Sequence, residues 1–202
     1  MPLMCESLML DDYLQELPEV DYSHPLLKEK SKELFHPGFS DIEKVKVAFE
    51  FVRDEIAHSW DIQSSIVTCK ASEVLFTSEG ICYAKSNLLA ALLRSQGIPT
   101  GFCYQRLLLF TKPDDGYCIH ALNAVHLSSI DKWVRLDARG NKQGIESYFS
   151  IEKEQLAFSI NEKLGEIDYP TIYTKPNKKT IAVLEKHTNT LNMYKYNLPD
   201  LL

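Results

Sequence analysis

The chain has 202 residues, 45% hydrophobic and 25% charged, enough for one domain with a sizeable core. A net charge of −6 without any basic run argues against nucleic-acid or anionic-membrane partners, and no apolar stretch approaches the length of a membrane span. The cysteines number five, an odd count, and the first twenty residues are acidic, lack Lys and Arg and do not read as a secretion signal; free thiols in a reducing cytoplasm are expected.

In chain order, residues 1–39 read as irregular, broken by Pro18, Pro25, Pro37 and Gly38, with a short helix over residues 26–35. Ser40 or Asp41 can cap the next helix, whose apolar stripe of Ile42, Val45, Phe49, Val52 and Ile56 runs to about His58. A short helix is expected over residues 71–76. Then comes Ser78-Glu79-Gly80-Ile81-Cys82, followed by Ala84, Leu88, Leu89, Leu92 and Leu93 at helical spacing and by Gly97 and Pro99 as stop signals. Gly80 permits a sharp turn into this helix. Cys82 therefore falls at its start, where unpaired N–H groups and the helix dipole favour a thiolate and could also hold an oxyanion. The other cysteines, Cys5, Cys69, Cys103 and Cys118, lack that context and read as small apolar residues.

Residues 100–111 read as a strand, ending at the turn Pro113-Asp114-Asp115-Gly116. Two further apolar runs, Tyr117 to Leu127 and Lys132 to Asp137, are separated by a polar break and predict a β-hairpin. If its turn is centred between Ser128 and Ser129, His126 opposes Asp131, Ala124 opposes Trp133, and His120 opposes Asp137. A cysteine at a helix start and a His–Asp pair on adjacent strands are the parts of a thiol triad: the imidazole takes the thiol proton and the carboxylate orients the ring. His126 shares the face of His120, but its partner Asp131 is near the hairpin tip. Asp137 has a second possible role, capping the turn made with Arg139, Gly140 and Asn141. Farther on, residues 150–158 read as helical and residues 167–174 as extended. A last helix is expected over residues 178–194, with Ile181, Leu184, His187 and Leu191 on one face. The six histidines and five cysteines show no metal-ligand spacing beyond the fragment Cys118-x-His120.

Gly80-x-Cys82, the helix ending in Leu92-Leu93-Arg94-x-x-Gly97-Ile98-Pro99, His120-Ala121-x-Asn123, and Trp133-Val134-x-Leu136-Asp137 together resemble the transglutaminase-like superfamily, with its papain-like cysteine-enzyme fold. The resemblance covers about residues 71–139. It implies an α+β fold in which a central helix bearing the cysteine packs on an antiparallel β-sheet. It also implies Cys82 as nucleophile with His120 and Asp137 on neighbouring strands. Family members complete the oxyanion hole with an upstream polar side chain, for which Gln63 and Trp60 are the candidates here. The sequence departs from the family's His-Ala-Trp-x-Glu pattern, carrying Leu122 and Ala124 in place of the aromatic and the acid.

These readings describe a single domain over residues 1–202: an extension over 1–40, a core of about 41–175 and a last helix at about 178–194. The expected function is a cysteine-dependent amide or peptide hydrolase or acyl transferase working through a thioester, without cofactor or metal. Its substrate would be a protein, a peptide or a small amide. The alternative is a binding scaffold of the same fold without turnover, motivated by Leu122 and Ala124.

Overall fold

One helix, α4 (Cys82–Arg94), is buried along its whole length, and the other elements are arranged around it. The structure, a computed structural model, describes residues 2–110 and 113–202. Leu88, Leu89, Ala90, Ala91, Leu92 and Leu93 are fully enclosed, and so are the polar Lys85 and Asn87. A helix apolar on every side must be covered on every side. Here α1 (Pro25–Leu34), α2 (Asp41–Asp54) and α3 (Ala71–Thr77) cover one flank, and the sheet covers the other.

The sheet is four-stranded and antiparallel, in the order β6-β5-β4-β7, from β4 (Thr100–Leu108), β5 (Tyr117–Leu127), β6 (Lys132–Leu136) and β7 (Ile167–Asp168). Phe102, Tyr104, Ile119, Ala121 and Val125 join the core built on α4. Leu122, Ala124 and Cys103 instead form a second small cluster with Tyr13 and Ile172. Leu122 and Ala124 are thus packing residues, each at most 1% exposed. The N-terminal region is less irregular than expected. Its strand β1 (Met4–Cys5) pairs in parallel with β8 (Thr171–Ile172), so the expected extended stretch near residue 170 closes the fold onto its beginning.

The helix expected over residues 26–35 is α1. The Ser40 cap of α2 is a full capping box: its hydroxyl accepts from Glu43 N at 3.2 Å and its own N–H donates to Glu43 Oε2 at 2.8 Å. The apolar stripe of α2 outlasts the helix. After Asp54 the chain straightens into β2 (Ala57–His58), which pairs in parallel with β3 (Glu79–Gly80) just before α4. Ile56 is buried there outside any helix.

Two sequence expectations fail. Residues 150–158 form no helix: Ser150 Oγ accepts from the N–H groups of Glu152 and Lys153, Arg135 holds Glu154, and Ala157 N donates to Asp137. Local and tertiary hydrogen bonds displace the helical ladder. The last helix is two, α5 (Lys178–Lys186) and α6 (Thr190–Tyr196). The backbone is extended at His187, and Asn189 caps α6 by accepting from Asn192 N at 3.0 Å. Val183, Leu184 and Met193 are buried, whereas His187 and Leu191 are half-buried. Of the strand expected over residues 100–111, β4 accounts for 100–108, and Thr111 lies outside the described residues.

Candidate active site

Cys82 is the first residue of α4, and Ile81 before it offers no side-chain cap. The first N–H groups of the helix therefore keep their hydrogen-bonding capacity beside the thiol. Gly80 is needed here for space rather than for an unusual turn. A Cβ on it would stand 3.0 Å from Thr68 Oγ1 and 3.1 Å from Ala84 Cβ, and the left-handed residue of this connection is Ser78, at φ 56°. Pairing of β2 with β3 brings His58 level with Gly80, so the wall upstream of the cysteine is set by backbone hydrogen bonds.

The hairpin of β5 and β6 differs by two residues from the expected register. His126 faces Trp133, Ala124 faces Arg135, and the last pair is Asn123 with Leu136. The turn is four residues long, Ser128 to Asp131, with Asp131 in the left-handed region at φ 49°. The turn is centred between Ser129 and Ile130, one residue later than the expected centre, and the resulting even slip leaves every side chain on its original face. His120 and Asp137 therefore still meet, diagonally instead of directly: His120 Nε2 lies 2.7 Å from Asp137 Oδ2. The second pair survives for the same reason, with His126 Nε2 3.1 Å from Asp131 Oδ1, but Asp131 is almost fully exposed.

Asp137 is 1% exposed and His120 4%. The carboxylate has both roles considered for it: Oδ1 accepts from Arg139 N at 3.2 Å, fixing the turn, while Oδ2 holds the ring. With Nε2 engaged by Asp137, Nδ1 is the ring nitrogen left for the thiol. Burial alone would drive the imidazolium off. The negative charges of Asp137 and Cys82 outweigh it and push the pKa of His120 up to about 10. Phe158 meets the ring edge-on at 5.0 Å and limits its rotation. By contrast, burial pushes the thiols of Cys69, Cys103 and Cys118 up to about 12.

Cys82 and His120 open into a cavity of about 380 Å³. Leu107, Leu108, Leu109, Phe110 and Phe158 supply apolar walls, and Tyr194 and Leu198 close it from the C-terminal segment. Of the two oxyanion candidates, Trp60 lines the cavity, its ring stacked on Tyr194 at 4.5 Å. Gln63 does not line it: exposed, at φ 54°, it donates its side-chain amide to Trp60 O.

Three features were missed in the sequence. His58 is 5% exposed, lines the cavity, and among the described residues its Nδ1 has no hydrogen-bond partner; burial, aided by the positive charge of Arg139, keeps the ring neutral. Asp61 accepts two hydrogen bonds from Arg139, at 2.6 and 2.9 Å, and one from Lys142 at 2.6 Å, tying the Trp60 loop to the segment after β6. Half-burial would raise the Asp61 pKa, yet these cations bring it down to about 2. Lys85, one turn after Cys82, is 1% exposed with Nζ donating to Ile56 O, and burial lowers its pKa to about 7. Lone charged residues in loops carry no periodicity, so only the Asp61–Arg139 contact itself identifies the pair. Among the described residues, no group of three or more His, Cys, Asp or Glu side chains is placed to hold a metal ion, and no helix is long and apolar enough to cross a membrane.

A cysteine at the start of a buried helix beside a histidine on an antiparallel sheet defines the architecture of papain-like and transglutaminase-like proteins. The chain belongs to the transglutaminase-like superfamily, whose profile matches residues 28–138. Among solved structures, a candidate cysteine protease from Cytophaga hutchinsonii aligns with a TM-score of 0.52 at 14% identity, over 64% of this chain and 42% of that one. A TGase aligns with a TM-score of 0.43 at 16% identity, over 82% of this chain and 45% of that one. The chain thus spans less than half the length of either protein. No curated protein matches it.

Proposed function

We infer that the protein is a cysteine-dependent acyl-transfer enzyme, a hydrolase or transferase acting on an amide. The observation that carries this reading is the buried 2.7 Å contact between His120 and Asp137 beside a cysteine at a helix start. Cys82 attacks the carbonyl carbon of the donor while the Cys82 N–H and a side chain of the cavity wall, Trp60 or the neutral His58, hold the oxyanion. His120 gives its Nδ1 proton to the leaving amine as the C–N bond breaks, which leaves a thioester on Cys82. It then takes a proton from water or an incoming amine, whose attack releases the acyl group. Asp137 keeps Nε2 occupied, so that the working nitrogen faces the sulfur. Family membership and the shared fold support a cysteine nucleophile without specifying the donor.

The test is covalent. The protein is incubated with a panel of activated esters and small amides, quenched in acid and weighed. An acyl adduct on Cys82, absent from Cys82→Ala and His120→Ala but kept in His126→Ala, is expected. A panel that acylates wild type no faster than Cys82→Ala defeats the assignment and leaves a binding scaffold.

A further inference from the structure

A recurring way for an extended polypeptide to be held is by hydrogen bonds from its backbone to an exposed sheet edge, here one beside Cys82. Such an edge exists in this fold. β6 stops at Leu136, which pairs with Asn123, so the part of β5 that carries His120 runs on beyond its neighbour. Ile119, immediately before His120, faces Arg106 of β4 on one side. On its other side both backbone groups are already taken. Its N–H donates to Pro199 O at 2.7 Å and its carbonyl accepts from Tyr83 Oη at 2.7 Å.

Pro199 belongs to a segment that crosses the cleft from wall to wall. At one end Thr190 N donates to Ser65 O at 3.0 Å, and the Thr190 hydroxyl donates to Ile66 O, anchoring α6 on the loop that carries Trp60. Tyr194 stacks on Trp60 and meets the His58 ring edge-on. At the other end Arg106 Nε donates to Asp200 O at 3.0 Å. Beneath this span Cys82 is 7% exposed, and the remaining cavity of about 380 Å³ is at the small end of ligand sites.

We propose that residues 189–200 are a specificity strap: they occupy the sheet edge beside His120, so that the acyl donor is a small carboxamide or ester rather than a polypeptide lying across the site. The donor enters at the rim formed by Phe110 and Lys142, which are about two-fifths exposed. This rests on Cys82 being the nucleophile proposed above.

Two probes with one electrophile test it: epoxysuccinamide, and an epoxysuccinyl group flanked on both sides by tripeptides. Each opens its epoxide by forming one C–S bond to Cys82, with a proton passing to the ring oxygen. In wild type the small probe should label Cys82 faster by about tenfold or more, roughly what one or two backbone hydrogen bonds are worth. A variant ending at Asn197 should lose most of that preference, with faster hydrogen exchange at the Ile119 amide. If this variant does not unfold cooperatively, the full-length double variant R106A/L198A is read in the same way. Equal rates with both probes in wild type would overturn the strap, as would an unchanged ratio in a folded variant whose Ile119 amide has become free to exchange. Failure of both probes to label Cys82 in wild type would instead remove the nucleophile on which the strap depends.

Discussion

Replacing Asp137 with Asn removes one charge and almost no volume from the centre of the site. His120 keeps its proton up to about pH 10 against an ordinary 6.5, because the negative charges of Asp137 and Cys82 overcome burial. Asp137 is the larger of the two; if its loss removes about half of that net rise, the imidazolium is weakened by about 2 kcal/mol, a factor of some tens. The amide also presents an N–H to Nε2, which would move the ring proton to the nitrogen facing the sulfur, the wrong tautomer for a base. Asp137→Asn should therefore slow alkylation of Cys82 by iodoacetamide at pH 7 some tens of times. Stability should fall modestly: Asn keeps an oxygen for the N–H of Arg139, but the amide that replaces Oδ2 no longer accepts from Ala157 N. Alkylation rate and melting temperature are measured on the same preparation. An unchanged rate with a lowered melting temperature would show that Asp137 serves the turn alone.

Three other outcomes are expected. Because the folded pKa of His120 is raised, its contribution to stability is complete below about pH 6.5 and is lost as pH climbs through about 10. Lys85, lowered to about 7, works in the opposite sense over much of that window, so wild type alone is uninformative; the melting-temperature difference between wild type and His120→Gln should shrink steadily from pH 6.5 to 10, and a constant difference would refute the raised value. Trp60→Phe keeps the stack on Tyr194 but deletes the indole N–H; if that group holds the oxyanion, acylation should fall about 10² to 10³-fold in single-turnover assays, and an unchanged rate would leave the role to His58. Ser40→Ala breaks the capping box of α2 and should cost about 1 kcal/mol in urea unfolding, with no effect on Cys82 alkylation.

What could be read from the amino acids alone was whatever local periodicity and parity control. The apolar spacing after Cys82, with Gly97 and Pro99 as stops, sets where α4 begins and ends and hence where the thiol sits. The start of α2 was legible to within one residue, at Ser40 or Asp41, and the structure places the cap on Ser40. The alternation of β5 and β6 brings His120 and Asp137 to one face, and because that alternation has a period of two, even a misplaced turn centre left the pair intact. Tertiary structure decided everything that depends on distant partners. Residues 150–158 have helical composition, yet Arg135 and Asp137 capture their polar groups. The expected last helix divides at Asn189, whose cap lets α6 turn back onto Ser65 and Ile66. Asp61 lies 78 and 81 residues from Arg139 and Lys142, and no pattern links them; only folding makes them one cluster. The same holds for Pro199, which meets Ile119 across eighty positions of chain. The extent of the cleft, and so the size of molecule it admits, is set by such contacts, because a backbone hydrogen bond between remote segments leaves no trace in the side chains of either.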